Sequence, residues 1–466
     1  MNELRGIRAL FDVRPDERRI AAAMSTYFFL VITSFWILKP LKKTLFIGHY
    51  ADSGFDAFGK TFSAPDAELL AKVMNMFVAA AAAWVFAVLS HRLRRERLTF
   101  VFTLFFIAAY GLFAAALSAP KPPALAVWSF YLFGDLFSTA MVAVFFSFLN
   151  DSVTSDGAKR LYGVVGFGGV AGGVFGSTAV RALIGSLSLA GWLGVTAFLG
   201  LLILAVAYGA AQEFERNAQA TSTLRTTPRT SPQPPSQPAA AHAPKGGAEP
   251  PPGLAGLGLV FRSDYLLSIV AIVGLYEVVS TIVDFQFTTA IFEFAESDAD
   301  RDRAFATVYA TTNWLSMFVQ LFLTSFVMRR FGLRTALLVL PCSIALSSLA
   351  FASRPSLAFG GTLSVADNAF SYSINQSAKE ALYVPTTVAE KYQAKAFIDM
   401  FVQRFAKALG VGLGLVASAW FGGPEGVRKL SFFVLPALAL WGYAAAHAGR
   451  RFAELEARRA SSRGPE

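Results

Sequence analysis

Long apolar stretches recur along the whole chain, and they limit what it can fold into more than any other feature. Several contain roughly 18 residues or more, enough for a helix to cross the apolar core of a bilayer. Composition agrees: 55% of the residues are hydrophobic and 15% are charged, whereas soluble domains carry about 25% charged residues. The sequence therefore predicts an all-α membrane protein that crosses the bilayer many times.

We predict twelve transmembrane helices in two six-helix bundles, a plan typical of major facilitator transporters. The N-terminal bundle takes up residues 1–211 and the C-terminal bundle residues 258–466. Between them, residues 212–257 contain nine prolines together with Ser, Ala and Gly, which predicts a disordered cytoplasmic linker. The predicted spans are 21–47, 69–90, 98–118, 124–149, 161–185, 190–211, 263–292, 304–328, 333–353, 356–380, 396–421 and 429–448.

Lys and Arg lie mostly at the two ends of the chain and in the loops after even-numbered spans. By the positive-inside rule, both termini are then cytoplasmic, in a multi-pass protein of the cell (inner) membrane. The net charge of +10 reflects this bias, so we expect the lipid bilayer and no nucleic acid as partner. One cysteine and four scattered histidines predict no disulfide, metal site or cofactor. We expect a monomer.

The stretch GFDAFGKT (54–61) fits the phosphate-loop pattern at every fixed position. A working loop follows a strand of a βαβ unit and leads into a helix at the Lys. Here the pattern falls in the first non-cytoplasmic loop, so we interpret the match as accidental.

Three lysines lie inside the first span, in the stretch ILKPLKK (37–43). Lys39, Lys42 and Lys43 occupy an arc of about 100° on a helix, next to a kink expected at Pro40. Charges in the bilayer are costly and usually face a wet cavity or a partner. We predict that the three lysines bind an anion; the alternative is that they snorkel to the membrane surface.

A second polar group lies in span 11, where Lys395, Asp399, Gln403 and Lys407 repeat every four residues, with Arg404 beside them. This spacing predicts one polar stripe on a helix. Asp399 has two candidate partners along the helix, Lys395 and Gln403. A purely structural buried ion pair is the alternative to a ligand site. Further candidates for substrate binding are Glu277, Asp284 and Gln286 in span 7 and Lys379 and Glu380 at the end of span 10.

Two weaker patterns concern packing and repetition. Gly163, Gly166, Gly169, Gly173 and Gly176 are three or four residues apart in span 5 and predict a closely packed helix face. The segments GDLFS (134–138) and ADNAFS (366–371) lie in spans 4 and 10, which indicates a weak repeat of the two halves.

Several motifs resemble the non-mitochondrial ATP/ADP translocases of plastids and obligate intracellular bacteria, and their relatives in free-living bacteria. They are ILKPLKK (37–43), DFQF (284–287), KEALYVP (379–385), KAFID (395–399) and KALG (407–410). The resemblance implies a major facilitator-like fold that exchanges ATP for ADP or moves other nucleotides. By this resemblance, Lys39 and Lys42 correspond to the family's basic positions in the first span. Residues 395–399 correspond to its Lys-Ala-x-Ile-Asp segment, and Lys407 corresponds to a later Lys. Lys43 stands where the family usually has an acid, and Arg404 is an additional base.

The sequence thus predicts a secondary transporter, not an enzyme, which exchanges nucleotides (ATP-binding, antiporter-like) or a similar organic anion. One alternative is a proton-coupled transporter of an unrelated solute, in which Glu277, Asp284 or Asp399 changes protonation. Another is a membrane scaffold or lipid-handling protein, whose charges would cluster at one membrane interface. Here charges recur at similar depth in spans 1, 7 and 11.

Overall fold

The computed structural model describes residues 17–57, 59–119, 121–152, 155–224, 257–387, 390–421 and 423–462. Long helices make up most of them. The first half contains α1 (Arg18–Tyr50), α2 (Ala64–Arg92), α3 (Arg95–Ala116), α4 (Ala124–Ser152), α5 (Ser155–Leu183) and α6 (Leu189–Leu224). A short antiparallel hairpin of β1 (Phe55–Ala57) and β2 (Lys60–Phe62) lies between α1 and α2.

The second half is also helical, but its helices are more often interrupted. It contains α7 (Asp264–Phe294), α8 (Asp298–Phe318), α9 (Thr324–Ser353), α10 (Leu357–Phe370), α11 (Gln376–Leu382), α12 (Lys395–Phe397), α13 (Gln403–Phe421) and α14 (Gly423–Ser462). Four π-helical turns join or precede these helices: Val319–Leu323, Ser371–Asn375, Glu390–Ala394 and Ile398–Val402. Each π-helical turn holds more residues than an α-helical turn and so shifts the helix face that follows.

Within the described ranges, nine helices are long and apolar enough to cross a membrane. One of them, Asp298–Ser353, is broken at Gly332, where φ is +80°; glycine adopts this conformation without the steric cost other residues pay. Residues 357–382 and 390–421 are helical throughout, with π-helical turns inside them. The all-α fold class is confirmed, and the number of twelve spans stays a prediction.

The predicted linker begins too early. Residues 212–224 are helical, because α6 continues to Leu224. This stretch, QEFERNAQATSTL, contains several strong helix formers, and its first proline comes only at position 228. An ion pair of 3.5 Å between Arg19 and Glu213 also ties it to α1. Residues 225–256 lie outside the described residues, so the remainder of the linker stays a prediction.

The stretch GFDAFGKT (54–61) forms the hairpin of β1 and β2. Asp56 lies opposite Thr61, whose hydroxyl donates a hydrogen bond to its carboxylate at 2.5 Å. Lys60 lies in β2, and α2 begins only at Ala64, with Ser63 as its N-cap. This is not the geometry of a phosphate-binding loop, in which the helix begins at the Lys.

Each half of the chain has its own apolar core. Tyr27, Phe106 and Phe145 are buried in the core of α1–α6, and Ile344 and Trp441 in that of the second half. The two halves thus form two helical bundles in contact, and Leu69 of α2 packs into the core of the second half. The division of the chain into two duplicated domains stays a prediction.

Close packing of α5 on α1 depends on glycines. At Gly172 an added Cβ would collide with the carbonyl oxygen of Phe29 in α1. At Gly173 it would lie 3.2 Å from Trp36 Nε1 of α1 and 2.5 Å from Asn313 Oδ1 of α8. The glycine prediction is therefore correct for Gly169, Gly173 and Gly176 and wrong for Gly166, which faces open space. Gly168 and Gly172, one helical turn apart, complete the packed face instead.

We expect Gly172→Ala to destabilise the protein, because the new methyl group would collide with the backbone of α1. Overpacking of this kind costs about 1–3 kcal/mol, and the thermal unfolding midpoint of detergent-purified protein should fall. Gly194→Ala is the matched control, since nothing lies within 4 Å of a Cβ there. An unchanged midpoint for Gly172→Ala would contradict the packing described here.

Candidate functional site

The charged residues of the helices converge on a cavity of about 290 Å³ between the two bundles. Helices α1, α2 and α4 line it from one bundle, and α7, α8, α10 and α13 line it from the other. Its charged lining comprises five lysines and five carboxylates. They are Lys39, Lys42, Lys43, Lys72 and Lys407, and Glu68, Asp135, Glu277, Asp284 and Asp367.

The three lysines of α1 diverge because of their positions on the helix. Lys42 and Lys43 are adjacent, so their side chains leave α1 about 100° apart. Lys42 forms an ion pair with Asp135 of its own bundle, and Asn75 donates a hydrogen bond to the same carboxylate at 2.7 Å. Lys43 points to the other bundle.

Lys43 and Lys72 hold Asp284 between them and thereby connect the two bundles. Lys43 Nζ lies 2.9 Å from Asp284 Oδ1, and Lys72 Nζ lies 2.5 Å from Asp284 Oδ2. Glu68, one helical turn before Lys72, lies 3.2 Å from Lys43 Nζ and accepts a hydrogen bond from Thr288 of α7. We call Lys43, Glu68, Lys72 and Asp284 the interbundle ion network.

The interbundle ion network lies toward the side of the molecule that is opposite the chain termini. Lys43 is near the end of α1, Glu68 near the start of α2, and Asp284 in the second half of α7. Trp36 and Tyr309 contribute a further ring contact between the bundles near mid-helix, at 5.9 Å. The two bundles are therefore joined on the side opposite the termini.

Burial argues against the snorkelling interpretation of the first-span lysines. Lys42 is 6% exposed and Lys43 4% exposed, and each has a carboxylate partner. A lysine that snorkels would instead place its ammonium group in water.

Lys39 has a different environment from the other two lysines of α1. Its ammonium group lies 4.6 Å from the ring centroid of Trp36, 4.9 Å from that of Tyr309 and 5.6 Å from that of Tyr372. The Tyr372 hydroxyl lies 3.3 Å from Nζ. Among the described residues, no carboxylate forms an ion pair with Lys39. Its charge is stabilised mainly by aromatic faces, which attract cations.

In the described part of the chain, two cavity carboxylates of the second bundle also have no lysine within ion-pair distance. Asp367 is buried, and its Oδ2 accepts a hydrogen bond from Ser280 at 2.7 Å. Its Oδ1 accepts none from the described part of the chain. Glu277 lines the same cavity, and no described residue forms an ion pair with it.

The sequence prediction missed Glu68 and Lys72. Span 2 was predicted to begin at residue 69, which assigned Glu68 to a loop. The pattern ELLAK (68–72) was nevertheless a signal, because an acid and a base four residues apart lie on one face of a helix.

Of the predicted site residues, the structure brings Lys39, Lys42, Lys43, Glu277, Asp284 and Lys407 together at the cavity. Gln286 is buried elsewhere and donates to Ser431 at 3.0 Å. The cavity lining does not include the remaining six. They are Lys379, Glu380, Lys395, Asp399, Gln403 and Arg404.

The predicted stripe of span 11 is broken, and the pairing of Lys395 with Asp399 is wrong. Lys395 pairs instead with Glu380, at 2.6 Å. The prediction assumed continuous α-helix, whereas the π-helical turn Ile398–Val402 separates Lys395 from Lys407. Because such a turn holds an additional residue, the residues after it face a new direction. Lys407, which follows the turn, lines the cavity, whereas Lys395 before the turn and Asp399 within it do not.

Comparison with known proteins links the chain to nucleotide carriers. Residues 254–421 match the sequence model of the family described as TLC ATP/ADP transporter. ADP,ATP carrier protein 1 of Chlamydia pneumoniae is 24% identical over 463 residues, which cover 86% of this chain and 85% of that protein. The protein of the same name from Chlamydia muridarum (strain MoPn / Nigg) is 24% identical over 311 residues, 60% of this chain and 56% of that protein.

Solved structures with the same fold are membrane transporters. A mutant of nucleoside transporter NupG superimposes with a TM-score of 0.61 at 12% identity, covering 92% of this chain and 99% of that chain. A bacterial homolog of the human lysosomal transporter Spinster gives a TM-score of 0.50 at 14% identity, with 95% and 98% covered. At such identities the likeness shows the fold alone.

These matches agree with the resemblance that the sequence motifs predict: the chain is similar in sequence to ADP,ATP carrier proteins, and its fold is similar to that of the two solved transporters. The nine long apolar helices of the described ranges indicate a multi-pass membrane protein. The roles of individual residues in substrate binding stay predictions.

Removing one carboxylate from the interbundle ion network should destabilise the protein. Glu68→Gln would leave two buried ammonium groups with Asp284 alone, and breaking a buried pair costs about 3–5 kcal/mol. Glu380→Gln is the control, because its pair with Lys395 is more exposed (46% and 32%) and such pairs are worth about 0–1 kcal/mol. Thermal unfolding of the purified variants should show a large fall only for Glu68→Gln; equal falls would contradict the network's structural role.

Proposed function

We propose that this relative of the ATP/ADP transporters exchanges nucleotides, in the manner of an ATP/ADP antiporter, across the cell (inner) membrane. One observation carries the proposal: lysines from both bundles, Lys39 and Lys407 among them, meet in one cavity at the bundle interface. Alternating-access transporters bind their substrates at this place. The names of the relatives, ADP,ATP carrier proteins, support the choice of nucleotide.

The cavity offers both kinds of contact that a nucleotide needs. Lysine ammonium groups are well suited to phosphate, and Lys39 and Lys407 have no carboxylate partner among the described residues that phosphate would have to displace. The rings of Trp36, Tyr309 and Tyr372 provide faces on which a base can stack. They come from both bundles, so a ligand held by them bridges the interface.

The interbundle ion network explains why exchange, not one-way transport, fits this structure. Asp284 forms ion pairs with Lys43 and Lys72 and so joins the bundles. A phosphate group competes with Asp284 for the same ammonium groups, and so weakens the contact that closes one side. The loaded carrier then opens more easily than the empty one, and each crossing requires a bound nucleotide.

The orientation follows from the positive-inside rule. With both termini cytoplasmic, the side closed by the interbundle ion network is the non-cytoplasmic side. The protein is expected to act as a monomer, because the cavity is completed by the two halves of one chain.

The two alternative functions, a membrane scaffold and a proton-coupled transporter, predict different structures and ligands. A scaffold or lipid-handling protein would carry its charges at one membrane interface, but ten charged side chains line a cavity between the bundles. A proton-coupled transporter of an unrelated solute would retain the cavity and bind no phosphorylated compound. Ligand binding therefore decides between the readings.

We expect neutralisation of the unpaired lysines to weaken the binding of nucleoside triphosphates more than the binding of monophosphates. Lys39→Gln or Lys407→Gln should each cost about 1.5–3 kcal/mol of ATP binding, the scale of a hydrogen bond to a charged group, or roughly 10- to 150-fold in Kd. The loss for AMP should be smaller, because fewer charges meet the lysines. Calorimetry on purified protein measures both ligands.

Lys60→Gln is the control for this experiment, since Lys60 is an exposed lysine of the hairpin and is not part of the cavity lining. It should bind ATP as the parent does. Equal losses for ATP and AMP in the cavity variants, or no nucleotide binding by the parent, would contradict the proposed function.

Exchange itself predicts that uptake depends on nucleotide inside the vesicle. Proteoliposomes loaded with unlabelled ADP should take up labelled ATP at least about tenfold faster than empty ones, because the empty carrier remains closed by a buried ion network whose disruption is costly. Uptake at equal rates into empty and loaded vesicles would exclude the exchange mechanism.

A further inference from the structure

The numbers of positive and negative groups in the cavity are equal, and this raises a question about its ligand. Five lysines face five carboxylates, so a fully ionised cavity offers no net charge, whereas a nucleoside di- or triphosphate brings several negative charges. In a membrane protein such charge requires local compensation. A fully ionised cavity cannot supply it, so either a cation enters with the nucleotide or a carboxylate is neutralised.

The carboxylates differ in how far they are already compensated. Asp135, Glu68 and Asp284 each lie within ion-pair distance of a lysine. Asp367 and Glu277 have no such partner among the described residues. Any neutralisation that does not disturb the ion pairs must therefore occur at these two groups.

Asp367 is the more enclosed of the two. It is 1% exposed, its Oδ2 accepts one hydrogen bond from Ser280, and its buried Oδ1 accepts none from the described residues. A buried ionised carboxylate with a single neutral donor is costly. A proton on Oδ1 removes the charge and converts the unpartnered oxygen into a hydrogen-bond donor.

The surroundings of Asp367 favour a proton over a metal cation. A metal cation such as Na⁺ or Ca²⁺ requires several oxygen ligands, and the one hydroxyl bonded to Asp367 in the described part of the chain is that of Ser280. The nearby Tyr276 hydroxyl is engaged with Ser371 at 2.6 Å. The ionisable groups facing the Asp367 side of the cavity are Tyr276, Glu277 and Asp284 of α7, Lys39 of α1, Tyr309 of α8, Lys407 of α13 and Tyr372 of the turn after α10.

We propose that Asp367 binds one proton together with the nucleotide, so that each loaded crossing moves a nucleotide and a proton. This inference rests on the proposed nucleotide function. The proton comes from water on the side to which the cavity is open and is held as the O–H of a carboxylic acid. Since the bound anion favours the protonated form, nucleotide affinity should fall as pH rises.

The test is calorimetry of ADP binding to the detergent-purified full chain in buffers of different ionisation enthalpy. The parent should take up about one proton per ADP, and its affinity should fall about tenfold per pH unit. Measurements above about pH 7.5 avoid titration of the phosphate itself. Asp367→Asn should bind ADP without proton uptake and with little dependence on pH, because the amide mimics the neutral acid.

Two variants control for indirect effects. Asp367→Glu retains a carboxyl group and should retain proton uptake. Asp399→Asn removes another carboxylate with an unpartnered buried oxygen, but Asp399 is not part of the cavity lining, so proton uptake should persist. Unchanged uptake in Asp367→Asn, or loss of uptake in Glu277→Gln alone, would overturn the assignment to Asp367.

An experiment without nucleotide separates this inference from the proposed function. Infrared difference spectra between acidic and alkaline protein should show the C=O band of a carboxylic acid that Asp367→Asn lacks and Asp399→Asn retains. If the parent binds no nucleotide but shows this band, the proposed function fails and the proton site stands. If nucleotide binds with no proton uptake and no such band, the proton site fails alone.

Discussion

The contact between Asp284 and the two lysines Lys43 and Lys72 is the interaction on which the arrangement of the two bundles depends. Ions inside a membrane protein are costly unless partners surround them, and here the partners come from opposite bundles. Glu68 supplies the second carboxylate and reaches Thr288 as well. The same contact thus joins the bundles and places two lysines in the lining of the cavity.

The cavity divides its charges between two tasks. The paired residues, such as Lys42 with Asp135, keep the empty protein stable, and they become available to a ligand only through competition. Lys39 and Lys407, without a carboxylate partner in the described ranges, are available at once. We expect a polyanion to bind the unpaired lysines first and then to compete for the paired ones. Its binding would then be coupled to a rearrangement of the bundles. Under this proposal, tight binding and conformational change depend on the same side chains.

The sequence predicted the fold class well, because apolar stretches of bilayer length rarely form anything other than membrane-spanning helices. It also found Lys39, Lys42, Lys43, Asp284 and Lys407, since charges inside spans are rare enough to be noticed. It failed where helical geometry departs from the regular α-helix. The π-helical turns around Lys395 and Asp399 leave no clear pattern in the sequence, yet they decide which face of span 11 reaches the cavity. Glu68 was missed because the start of span 2 was placed a few residues too late, whereas Lys72 lay inside the predicted span and was not singled out.

The weak repeat gives the unpaired acid of the second bundle a structural explanation. Asp135 in GDLFS and Asp367 in ADNAFS occupy corresponding positions in α4 and α10, the fourth helices of their bundles. Each faces the first helix of its own bundle, where Asp135 meets Lys42 and Asp367 meets Ser280. The first helix of the N-terminal bundle is basic, and that of the C-terminal bundle is acidic, with Glu277 and Asp284. This divergence lets Asp284 pair across the interface, and it leaves Asp367 with a hydroxyl where its counterpart has an ammonium group. A carboxyl group in that position can change its charge without breaking any ion pair that holds the bundles together.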